Sequence, residues 1–128
     1  MAEAVMKKSP VLDELESEKP PQGLEPEKAV DVSKLIMISE GSVVSRVLVK
    51  SETGSITLFA FDKDQALSEH TAPYHAMVQV LEGSVELTIG GKKRNARDGQ
   101  SVLMPAGIPH SVKALTPLKM LLTMIKPS

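Results

Sequence analysis

Gly99-Gln100-Ser101-Val102-Leu103-Met104-Pro105-Ala106-Gly107-Ile108-Pro109-His110 is the stretch from which the architecture of this chain is read. Gly99 permits a turn into a short apolar strand. Pro105 and Gly107 then end that strand and reverse the backbone within a few residues, because proline lacks a ladder donor and glycine accepts turn geometry. The reversal delivers His110 to the first position of the next strand. An alternating side chain at that position points into the open end of a barrel. A neutral imidazole there is a good ligand for Zn, Fe, Ni, Cu or Mn.

Working outward, the same texture holds from Val30 onward. Short runs of Val, Ile and Leu alternate with turn residues at the spacing of all-β domains, about 8–12 residues. Strands are predicted at Leu35–Ile38, Val43–Val49, Ser55–Phe61, Tyr74–Leu81, Val85–Ile89, Ser101–Met104, Ser111–Ala114 and Leu118–Ile125. Gly90-Gly91 is a two-residue hairpin signal, since primed turns need positive φ. No helical period competes after Val30, so the fold class is all-β and antiparallel.

Residues 1–29 read differently: a charged, proline-containing arm, expected to be partly disordered or packed on a partner, before a barrel domain at 30–128. Leu12–Glu18 has the makings of a turn or two of helix, which Pro20-Pro21 and Pro26 stop. The first 31 residues carry eight acids and four bases, and the rest eight acids and eleven bases. Lys92, Lys93, Arg94 and Arg97 supply much of that basic excess, and the cluster reads as a solvated hairpin tip.

The overall charge of −1 gives no bulk attraction to nucleic acid or an anionic membrane. With one Tyr, two Phe and no Trp there is no stacking platform for single-stranded nucleic acid. No apolar stretch approaches the roughly 20 residues of a membrane span, and Met1–Pro10 lacks the apolar core of a secretory signal. A cytoplasmic protein is expected. The absence of cysteine removes disulfides, thiolate metal sites and thiolate nucleophiles.

Two strands raise a question of cover. Val85, Leu87 and Ile89 alternate with polar residues, giving one wet face. Met77–Leu81 and Met120–Leu122 are apolar on both faces, and a strand of that kind needs something over its outer side. A second copy of the chain is the simplest cover, which predicts a homodimer.

The residues from Gly99 to His110 match the second cupin motif in full: Gly, five residues, Pro, one residue, Gly, two residues, His. Upstream, His70 and the turn Val80-Leu81-Glu82-Gly83 resemble the first motif. The resemblance spans roughly Ser55 to Ile125 and implies a cupin-type jelly-roll β-barrel, the double-stranded β-helix. In metal-binding cupins the first motif supplies His, His and Glu. Counted back from Gly83, those positions are His70, Ala72 and Ala76, and the Asn that often follows the second motif falls on Ala114. His70 and His110 therefore remain as the implied metal ligands.

His75 stands one residue before the expected Glu, so simple alternation turns it outward. A bulge near Pro73 would re-aim it and give three imidazoles, His70, His75 and His110, for a divalent Zn, Fe, Ni or Mn ion. Asp62, Asp64 and Glu69 fall in a predicted loop and read as solvated. Three functions stay open: a metal-dependent enzyme, a metal-free barrel holding a small polar molecule, and a structural protein serving a partner through its arm.

Overall fold

The computed structural model of the protein describes residues 4–6 and 23–128. The helix expected within Leu12–Glu18 lies outside the described residues. Ten strands form two antiparallel sheets. They are β1 (Ala4–Met6), β2 (Val43–Ser51), β3 (Gly54–Phe61), β4 (Ala66–His70), β5 (His75–Glu82), β6 (Ser84–Ile89), β7 (Lys92–Arg97), β8 (Ser101–Met104), β9 (His110–Ala114) and β10 (Leu118–Ile125). One sheet runs β1-β2-β3-β10-β5-β8 and the other β4-β9-β6-β7. The order mixes strands distant in sequence, as a jelly roll requires.

The main core lies between the sheets. Phe59, Phe61, Val78, Val80, Leu118 and Met120 from the six-stranded sheet meet Leu67, Val85, Leu87, Val112 and Ala114 from the four-stranded one. β5, β6, β9 and β10 bury every second residue, the period that sends alternate side chains to opposite faces, while β3 is buried on both. Gly83 makes the tight β5–β6 connection with φ +98°, and a Cβ there would collide with the Pro117 carbonyl. That close approach explains why the turn ends in glycine.

A second apolar cluster covers the outer face of the six-stranded sheet. Val44, Leu48, Leu58 and Ala60 are buried there beneath Ile36, with Leu24, Val32, Leu35, Ile38, Leu81 and Leu121 packed around them. Much of the cover for the doubly apolar strands thus comes from residues 24–38 of the same chain. Among the described residues its margin is a row across five strands, exposed at Val49 and Leu103 and half-buried between them. Val49, Ile56, Thr123, Met77 and Leu103 are successive register partners on β2, β3, β10, β5 and β8.

Two local expectations need correction. Leu35–Ile38 is not a strand: Val32–Leu35 is a 3-10 turn, and Ile36 lies on the sheet without joining its ladder. Asp31 organises the turn, its carbonyl accepting from the Lys34 amide and its carboxylate from the Ser33 hydroxyl. A four-residue apolar run has no period to tell these outcomes apart. Glu69 and His70 belong to a strand, β4, rather than a loop. The basic cluster is solvated at a hairpin, as expected: Lys92, Lys93, Arg94 and Arg97 are exposed on a further strand, β7, of which only Ala96 is buried. Among the described residues no helix is long and apolar enough to cross a membrane.

Candidate functional site

His70 and His110 are direct register partners on β4 and β9, and Ile89 of β6 pairs with His110 on its other side. The pairing Leu87–Val112–Leu67 one step further along consists of core residues, so this row faces the barrel interior. Regular alternation on β4 would not put His70 there. Leu67 faces the core, and His70 is three residues on rather than two. A register shift between Leu67 and His70 absorbs the extra residue, and this β-bulge turns the imidazole inward.

The two rings stand edge to face with centroids 4.5 Å apart. His70 Nδ1 lies 3.0 Å from the Ser68 carbonyl oxygen, and His110 Nδ1 lies 3.1 Å from that of Ile108. A carbonyl only accepts, so in both rings Nδ1 carries the proton and donates it. Each ring keeps Nε2 as its free nitrogen, an acceptor while the ring is neutral. His110 is 4% exposed and His70 half-buried. Burial pushes His110 below the ordinary imidazole range; the Ile108 carbonyl pulls it back up, and the neighbouring His70 lowers it again.

The loop before β9 is fixed from two directions. The Gly107 amide donates to the Ala72 carbonyl, and the Gly90 amide at the β6–β7 turn donates to Pro109. His75 adds a third tie. It is exposed, pairs with Ile125, and its Nδ1 accepts the Ala106 amide at 3.2 Å. Its neighbour Ala76 faces the core between Met104 and Met124, so His75 points to the other side of the sheet. The structure brings His70 and His110 together and leaves His75 outside that pair. Asp62 accepts the amides of Gly41 and Lys63, which hold its carboxyl below the usual range. It fastens a turn.

The donor set settles how well a metal fits. Catalytic zinc sites use three protein ligands and an open position. Here two imidazoles are present, Ala76 and Ala114 are methyls buried in the core, and Ala72 packs at its edge. Among the described residues no group of three His, Asp or Glu side chains could hold a metal ion. These residues do not fit a resident metal.

Fold and site together define a jelly-roll barrel with two imidazoles paired on its inner face. The cupin domain family matches residues 57–125. An uncharacterized protein of Aquifex aeolicus (strain VF5) is 30% identical over 105 residues, covering 80% of this chain and 87% of that one. The crystal structure of a conserved protein of unknown function from Streptococcus pyogenes is 36% identical with a TM-score of 0.79, covering 88% of this chain and 98% of that one. A cupin superfamily protein from Desulfitobacterium hafniense shares the fold, with a TM-score of 0.77 at 23% identity over 85% of this chain and 100% of its own. The chain belongs to the cupin family.

Proposed function

We propose that this cupin binds a small hydroxyl-bearing molecule at the barrel mouth without a resident metal, His70 and His110 accepting its hydrogen bonds at Nε2. The observation that carries this reading is the commitment of both Nδ1–H groups to backbone carbonyls. In their neutral form, rings so fixed present acceptors and no donor, so the group they receive must bring its own hydrogen. A neutral His110 also accepts a proton from a bound hydroxyl without first losing one of its own.

A second reading has support in the same bonds. Imidazoles that ligate metals also donate their other N–H to carbonyls, and two Nε2 atoms would hold part of a divalent Zn, Fe, Ni or Mn ion if the ligand completed its coordination. The deciding experiment is a thermal-shift screen of chelator-treated protein against sugars and polyols, then against each metal alone. Stabilisation by an organic ligand without metal, lost in His70→Ala and in His110→Ala, is the expected result. Stabilisation by a metal alone, lost in the same variants, would replace the metal-free reading with the second.

For the assembly, we propose a homodimer in which a second copy covers the apolar row from Val49 to Leu103 on the outer sheet face. Leu103, 59% exposed, and Ile125, 57% exposed, support it.

A further inference from the structure

The cations of β7 are exposed, and its register sets two of them on the barrel side of the sheet. Across the Gly90-Gly91 turn, Ile89 pairs with Lys92 and Leu87 with Arg94. Paired residues share a sheet face. Lys92, Ile89, His110 and His70 therefore form one row across the four-stranded sheet, on the barrel side, and Arg94 begins the next row beside buried Leu87. Lys93 lies on the opposite face, where Glu86 approaches its amine at 4.0 Å. Among the described residues neither Lys92 nor Arg94 has an ion pair with a carboxylate.

The placement sets a length. Two inter-strand spacings of about 4.8 Å separate β7 from β9, and the flexible four-carbon stem of a lysine closes part of that gap. The row thus has hydrogen-bond acceptors at one end and cations without a carboxylate partner at the other, with the backbones of β9 and β7 about 10 Å apart.

Resting on the hydroxyl-binding reading above, we propose that the ligand is a small hydroxylated anion. Its hydroxyl groups meet His70 and His110, and its carboxylate or phosphate meets Lys92 and Arg94. Neutral polyols satisfy only the histidine half of such a site. A cation on the inner side of an edge strand also deters edge-to-edge aggregation, and the test separates that role from ligand binding.

The test is calorimetric titration of the chelator-treated full chain with three matched probes: glycerol, glycerate and glycerol phosphate, with glucitol, gluconate and glucitol phosphate as longer counterparts. The anionic members should bind more tightly than the neutral ones and weaken as salt rises. The preferred anion identifies carboxylate or phosphate. In Lys92→Ala/Arg94→Ala, anion affinity should fall about tenfold, the sum expected for two partly solvated ion pairs, while neutral-polyol binding stays the same. Lys93→Ala, on the other face, should leave every affinity unchanged. Equal binding of neutral and anionic probes, or a Lys92→Ala/Arg94→Ala variant that aggregates but binds anions normally, overturns the anion proposal and leaves the histidine reading standing. Binding indifferent to His70→Ala and His110→Ala, or no binding by any probe, overturns both.

Discussion

At His110 burial and protonation oppose each other. The buried ring favours its neutral form, whereas in the unfolded chain it titrates near the ordinary value of about 6.5. Above that pH both states are neutral and the residue adds no pH dependence. As pH falls through it, the unfolded state takes up the proton first, and stability drops until the folded pKa is passed. Urea midpoints at pH 7.5 and 5.5 should therefore fall further for the wild type than for His110→Gln. Equal slopes would mean the buried ring charges freely. His110 was legible because its motif fixes turn, strand start and facing at once. The inward aim of His70 was not legible by alternation, since it depends on a bulge between Leu67 and His70 that no period-2 reading contains. Lys92 and Arg94 were legible in principle. Pairing outward from Gly90-Gly91 puts them opposite Ile89 and Leu87, and both are exposed as their charge predicts.

Among the elements, those missed from sequence share a physical cause. β4 has a single buried residue, Leu67, and β7 a single one, Ala96, so neither shows the alternation by which a half-buried strand is recognised. The 3-10 segment poses the converse problem, apolar residues that bury without a ladder. Its attachment rests on two cations of the outer sheet face. Arg46, 2% exposed, donates to the carbonyls of Leu35 at 3.3 Å and Gly23 at 3.0 Å, and Lys119 donates to that of Ser33 at 2.8 Å. Hydrogen bonds from a charged donor contribute about 1.5–3 kcal/mol. Arg46→Met keeps much of the apolar stem and removes the charge, so it should cost about 2 kcal/mol on that scale. Amide exchange should accelerate at Leu24 and Lys34, whose N–H groups bond to Leu48 and Asp31, while β3 and β10 keep their protection. Unchanged exchange at those two amides would show that Leu24, Val32 and Ile36 hold the segment by apolar packing alone.

For the whole molecule, two apolar layers of unequal completeness bear on the proposed dimer. The layer between the sheets is closed. Among the described residues the outer layer is closed where residues 24–38 lie over Val44, Leu58 and Ala60, and at its margin runs the row from Val49 through Ile56, Thr123 and Met77 to Leu103. Five strands at about 4.8 Å make that row about 20 Å long. A stable interface needs about 800 Å² from each partner, so a pairing here must also take in neighbours such as the exposed Ile125. Pairing through it would leave the four-stranded sheet, and with it His70, His110, Lys92 and Arg94, clear of the contact. Two consequences follow together. Light scattering at micromolar concentration should give a dimer for the wild type and a monomer for Met77→Glu/Leu103→Glu, since a charge buried without a partner is strongly disfavoured at an interface. Because the mouth belongs to one copy, the monomeric variant should bind the mouth ligand with unchanged affinity. A monomeric wild type would overturn the dimer. A dimeric wild type whose separation abolished binding would instead show that the mouth depends on the second copy.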